Sequence, residues 1–234
     1  MKKPGFAMLL MLALASPAIA GQIYVGSYGT YQSGHGGEFT YQVVGTPSWL
    51  DLSHYAASTR GSASFQSFCV ETNEYLYTNT VYDAALTDSA VNGGSGTSTH
   101  PDPVSRGTGW LYSQFATGTL AGYSFTGTVA ERRASADLLQ RTIWWLEDES
   151  SSYVGDLTGN VFYNAVVAKF GAVEAKRGSA AEYGVKALNL TNSSRCSGGL
   201  CQDALFYVPD GGATLALLGG ALMGLGLLRQ KLRR

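Results

Sequence analysis

Three cysteines in a chain of 234 residues are the first candidates for chemistry, because an odd number cannot all close into disulfides. Cys196 and Cys201 are separated only by Ser-Gly-Gly-Leu, a flexible spacer that suits a small local disulfide in an oxidising compartment. Cys69 is then left over, in the run Phe65-Gln-Ser-Phe-Cys-Val70. One reading packs it in a strand as a small hydrophobe. The other requires a partner for its thiol, and Gln140 is available. It stands in Leu138-Leu-Gln-Arg-Thr-Ile-Trp-Trp-Leu146, where helical spacing puts its carboxamide on one face with Ile143 and Trp144. A polar amide in an apolar, aromatic stripe must find hydrogen bonds or serve another purpose.

Other reactive side chains form weaker patterns. Glu147, Asp148 and Glu149 read as a solvated acidic helix end. Calcium is conceivable there, but adjacent carboxylates on a helix point in different directions. His35, His54 and His100 are scattered without ligand spacing, so no metal or cofactor is called for. Asn189 and Asn192 open glycosylation sequons, to which little weight attaches. Tyr24, Tyr28, Tyr31 and Tyr41 suit strand-face packing better than stacking on sugars. A glycan-active enzyme needs two carboxyl groups in one cleft, and the sequence does not show which would meet. The chain therefore reads as a non-enzyme.

The elements that must position Cys69 and Gln140 follow from residue pattern. Gln22–Ser27, Glu38–Val44 and Ser64–Tyr82 read as strands, rich in β-branched and aromatic residues between turns. Helical spacing begins later. Gly109–Ala116 reads as a short helix. A second starts at a capping box of Thr128 and Glu131 and runs to Leu146. A third spans Thr158–Lys176, with Val161, Ala165, Ala168 and Ala172 on one face and Gly178 ending it. Strands return at Tyr183–Leu190 and Ala204–Val208, and a long loop without periodicity lies between Asp88 and Gly109. Strands, then about three helices in the middle, then strands predict an α+β, β-rich ectodomain rather than alternating βαβ units.

Both ends of the sequence carry addresses. Residues 1–20 combine Lys2 and Lys3, an apolar stretch and Ala18-Ile-Ala20, the pattern of a secretory signal peptide handled by the Sec translocon and signal peptidase. Residues 21–207 remain as one domain. The far end places Val208-Pro-Asp-Gly-Gly212 before an uncharged run, Ala213–Leu228, and then Arg229-Gln-Lys-Leu-Arg-Arg234. At ~1.5 Å per residue that run gives about 24 Å of helix, near the ~30 Å of a hydrocarbon core, and the basic tip stays cytoplasmic. Removing both basic ends leaves an acidic domain, which argues against nucleic acid as a partner. The three-part tail, residues 208–234, resembles the PEP-CTERM sorting signal in its VPD-type variant, with Asp210 where the name-giving motif has Glu. The resemblance implies cutting by an exosortase, a transient inner-membrane anchor, and transfer to the surface or exopolysaccharide matrix of a Gram-negative bacterium.

A second resemblance covers residues 60–150. Phe68-Cys-Val70 followed by Leu139-Gln-Arg-Thr-Ile-Trp144 is similar to the thioester domains of bacterial surface adhesins. There the thiolate attacks the carboxamide, ammonia leaves, and an internal thioester remains. The resemblance implies a Cys69–Gln140 cross-link that captures a nucleophile such as a surface amine, with Phe68, Trp144 and Trp145 holding water off the bond. Two other expectations stay open: a non-covalent module that binds extracellular polysaccharide, and a secreted glycan-active enzyme.

Overall fold

The computed structural model describes residues 19–27, 29–34, 36–47, 51–91, 102–196 and 200–208. Eight strands and five α-helical segments follow in the order β1 (Ile19–Val25), β2 (Phe39–Val44), β3 (Ser64–Ser67), β4 (Thr80–Thr87), β5 (Ser89–Ala90), β6 (Asp102–Pro103), α1 (Arg106–Ala116), α2 (Val129–Leu146), α3 (Ser151–Val154), α4 (Val161–Phe170), α5 (Ala172–Ala175), a 3-10 turn (Ala180–Tyr183), β7 (Val185–Thr191) and β8 (Leu200–Tyr207). Six strands form one antiparallel sheet in the order β3-β2-β1-β4-β7-β8. The segment after β3 reaches back to the other edge. Cys69 pairs with Ala204, and Val70 N–H donates to Asp203 O at 3.1 Å, so the sheet nearly closes on itself. Alternation sets its inner face: Phe39, Tyr41 and Val43 on β2, and Tyr82, Ala84 and Leu86 on β4, are buried.

All five helical segments lie between β6 and β7, where the sequence places its helices; α1 starts three residues earlier than expected, α2 matches, and only the expected third helix is divided. The capping box forms as read: Thr128 Oγ1 accepts from Glu131 N–H and the Glu131 carboxylate accepts from Thr128 N–H. Ala136, Leu139, Gln140 and Ile143 then fall on the buried face of α2. The expected third helix is divided. It begins only at Val161, because the Asn160 side chain caps Phe162 and Tyr163 N–H, and it breaks at Gly171, whose φ is 79°. Phe162 and Val166 are buried, whereas Val161, Ala165, Ala168 and Ala172 face solvent. The large aromatic, not the alanine stripe, decides which face turns inward.

The strand expected over Ser64–Tyr82 stops at Ser67, and an irregular stretch follows until Asn79, at φ 53°, turns the chain into β4. The long loop is bracketed by the short β5–β6 ladder, Ser89 facing Pro103 and Ala90 facing Asp102. β1 takes in Ile19 and Ala20 at the end of the expected signal peptide, whose other residues, 1–18, lie outside the described ones. The run Ala213–Leu228, expected to span the membrane, also lies outside them. Among the described residues no helix is long and apolar enough to cross a membrane.

The acidic triplet departs most from its sequence reading. α2 ends at Leu146, and Asp148 adopts φ 56°, so the chain reverses there. Asp148 stays exposed beside Lys176, while Glu147 and Glu149 turn inward and are buried. The Glu147 carboxylate accepts from Ser105 N–H at 3.2 Å, Ser105 Oγ at 2.8 Å and Thr108 Oγ1 at 2.5 Å, at the start of α1. Burial nevertheless outweighs these bonds and raises its pKa to about 7 from an ordinary 4.5. Because the folded value is the higher one, this group's stabilisation is complete below about pH 4.5. It is lost as pH rises through about 7, a swing on the order of 3 kcal/mol. The stability of the wild type relative to Glu147→Gln should fall between about pH 4.5 and about pH 8. A difference that does not change with pH would contradict this.

Candidate functional site

Cys69 and Gln140, 71 residues apart in sequence, meet. N–H and C=O groups alternate sides along an extended segment, so Val70 faces β8 and the polar groups of Cys69 face away from it. On that open side Gln140 stands in for a missing strand. Its Nε2 donates to Cys69 O at 2.8 Å, and its Oε1 accepts from Cys69 N–H at 3.0 Å. A third bond comes from Gly37 N–H, which donates to the same Oε1 at 2.8 Å. Two backbone donors thus converge on the carboxamide oxygen, where negative charge would collect if a nucleophile added to Cδ.

The clamp depends on close approach of backbone. A Cβ at Gly36 would lie 2.2 Å from Gln140 Cγ and 2.8 Å from Cδ, so only glycine fits over the carboxamide. The neighbouring Glu38 fixes this loop. Its fully buried carboxylate pairs with Arg132 of α2, accepting from Nε at 3.0 Å, and accepts from Tyr123 Oη at 2.5 Å. Arg132 also donates to Ser58 O at 2.6 Å and stacks 3.9 Å from the Tyr31 ring centroid. One helix therefore supplies both the carboxamide and the ion pair that anchors the loop clamping it.

The Cys69 thiol is buried, and desolvation, followed by the nearby Glu71 carboxyl, pushes it well above the usual thiol range. Burial therefore favours the protonated thiol until a cross-link forms. A cavity of about 260 Å³ reaches it, lined also by Phe39, Glu71, Glu74, Trp144 and Tyr153. Trp144 and Tyr153 meet edge to face at 5.7 Å, and the buried Trp144 Nε1–H has no hydrogen-bond partner among the described residues. Of the expected dry wall, Trp144 lines the cavity, whereas Phe68 packs beneath it on Phe115 with ring centroids 4.9 Å apart. Trp145 is elsewhere. It lies on another face of α2, against Tyr163 and under Lys176.

A carboxyl cluster next to the cavity was not legible in the sequence. One oxygen from each of Glu71, Glu74 and Asp203 lies within 4.8 Å of the others. Asp203 is held by backbone N–H groups, Leu190 to Oδ1 at 3.0 Å and Val91 to Oδ2 at 2.8 Å. Burial raises the Asp203 carboxyl to about 8 and raises Glu71 as well, with mutual repulsion adding to it at Glu71.

The remaining candidates are placed as follows. Cys196 and Cys201 form a disulfide with Cα atoms 5.3 Å apart. Asn189 is nearly buried, accepting from Thr87 and donating to Ser89 O, so its sequon is occupied by the fold. Tyr41 is buried in the sheet, Tyr24 and Tyr31 are half-buried, and Tyr28 lies outside the described residues. His54 is exposed beside Asp51 at 3.3 Å, while His35 and His100 lie outside the described residues. Val208 donates to Gly184 O at 2.6 Å, which ties the start of the tail to the domain. The rest of the sorting motif, Pro209, Asp210, Gly211 and Gly212, is outside the described residues.

Residues 207–232 match the VPDSG-CTERM motif, with Gly211 standing where that motif's name has Ser. The match supports a sorting tail of the PEP-CTERM kind. It points to an exported, surface-associated protein and is consistent with processing by an exosortase. No curated protein and no solved structure matches the chain.

Proposed function

We propose that this exported domain is a non-enzymatic surface protein that attaches covalently to its target through an internal Cys69–Gln140 thioester. The observation that carries the reading is the clamped carboxamide: Gln140 is bonded on both sides by the backbone of the very cysteine that would attack it. In the forming step a new bond joins Cys69 Sγ to Gln140 Cδ. The Cδ–Nε2 bond breaks, and the thiol proton departs with the nitrogen as ammonia. The two N–H groups on Oε1 stabilise the oxyanion of the intermediate. Burial withholds water from the product, and the cavity beside Cys69 gives a primary amine its approach. The amine nitrogen then bonds to Cδ, the S–C bond breaks, and the amine's proton returns to sulfur. The target is left joined through an amide to residue 140.

Intact mass tests this. The exported wild-type chain should be one ammonia lighter than its processed sequence with the Cys196–Cys201 disulfide closed, and should gain one methylamine at Gln140. Cys69→Ala should show no ammonia deficit on the same basis and gain none. A wild type of full mass that takes up no methylamine would end the proposal.

A hydrolytic reading has one observation behind it, the carboxyl groups of Glu71 and Glu74 in a shared cavity wall. It is the weaker reading. Asp203 is engaged by backbone N–H groups on both oxygens, and the cavity of about 260 Å³ is smaller than the ~300–1,000 Å³ usual for small-molecule sites.

A further inference from the structure

We propose that Glu71, Glu74 and Asp203 form a binding site for a hard divalent cation, Ca²⁺ by preference, at the wall of the cavity and at the seam where the sheet closes. This stands apart from the thioester and requires none of its chemistry.

Two independent observations point to a ligand. The first is the convergence itself. Three carboxylates from two separate parts of the chain present oxygens within 4.8 Å of one another, and Glu71 and Asp203 form no ion pair with any described residue. The second is an orphaned acceptor. Glu71 is 1% exposed; its Oε2 accepts from Gln202 Nε2 at 3.2 Å and Asp203 N–H at 3.3 Å, but its buried Oε1 has no hydrogen-bond partner among the described residues. Buried carboxylate oxygens do not stay unpaired without cost, and a cation supplies what the protein does not. The same holds nearby. The charge of Glu149 is felt at Glu71, and its own Oε1 is also buried without a partner among the described residues, while Oε2 is occupied by Thr72 at 3.0 Å.

The donor set decides the class of ion. All three ligands are carboxylate oxygens with no imidazole or thiolate among them, which selects calcium over zinc, copper or nickel. Calcium takes six to eight oxygens with loose geometry, so water in the cavity can complete the shell that three side chains begin. Glu71 and Glu74 line that cavity, which gives the ion a way in. The site would pin the segment after Cys69 to β8, because Val70 and Asp203 already share a backbone bond there.

The test uses the purified exported chain, stripped with EDTA and titrated with CaCl₂ or MgCl₂ alone. The melting temperature should rise by on the order of 5 °C at about a hundred times Kd for calcium, and less for magnesium. Equilibrium dialysis with ⁴⁵Ca²⁺ should give one ion per chain. Glu74→Gln, which changes the least buried of the three ligands, should weaken binding about tenfold or more while the metal-free domain still folds. Glu71→Gln should abolish binding. Cys69→Ala should bind calcium as the wild type does, so that failure of the thioester and failure of this site are separately visible. Absence of saturable binding, or binding unchanged in both glutamate variants, would overturn the proposal. In that case the carboxyl groups share protons instead of a metal.

Discussion

Arg132→Ala is expected to lower the unfolding free energy by about 3–5 kcal/mol, the largest effect of any single truncation of a charged residue in this domain. The reason is what it leaves behind. Glu38 is fully buried, and its remaining donor would be the Tyr123 hydroxyl at 2.5 Å. A second variant separates this cost from the value of the pair itself. Glu38→Gln with Arg132→Met removes both charges, and replacing a buried pair often costs little, so it should be clearly more stable than Arg132→Ala. Urea unfolding of the three proteins checks the order. If Arg132→Ala loses less than about 1 kcal/mol, the ion pair does not anchor the loop in the way described.

Gln140→Ala should cost at least about 3 kcal/mol, against about 1 kcal/mol for Cys69→Ala. The alanine strands three backbone groups at once, Gly37 N–H, Cys69 N–H and Cys69 C=O. Each unsatisfied buried group costs roughly 1–3 kcal/mol, and none can turn to β8, where Val70 already occupies the facing positions. Cys69→Ala leaves all three bonds in place. Loss of the cross-link is common to both variants, so the difference between them isolates the carboxamide clamp. Equal denaturation midpoints would contradict the clamp and reduce Gln140 to an ordinary core residue.

What the sequence reveals about the site follows from the range of its signals. The capping box at Thr128 and Glu131 fixes the phase of α2, and the phase alone turns Gln140 inward with Leu139 and Ile143. Cys69 reads as buried because its neighbours are Phe68 and Val70, and it is. The Asp203 carboxyl reaches Glu71 through sheet closure, which brings β8 back to the segment after β3, and the Glu38–Arg132 pair joins the residue before β2 to α2, 94 positions on. Nothing local to those residues marks either contact. Gly36 is silent for the same reason: its need to be glycine is set by a side chain 104 positions away. The misreading of Glu147 and Glu149 has a different origin. Their solvent exposure follows only if the helix continues straight, and the left-handed turn at Asp148 sends them inward, Glu147 to Ser105 and Thr108 and Glu149 to Thr72. The division of the expected third helix was obscured because the run Thr158–Lys176 keeps helical spacing across Gly171, whose φ of 79° breaks it.

The most direct measurement is proteolytic peptide mapping of the exported chain under acidic conditions that preserve thioesters. One peptide pair joined through Cys69 and Gln140 is expected, lighter than the sum of its parts by one ammonia, which methylamine separates into a free-thiol peptide and a methylamide at residue 140. Recovery of Cys69 as a thiol that alkylates in full after denaturation, together with an unmodified Gln140 peptide, would contradict it.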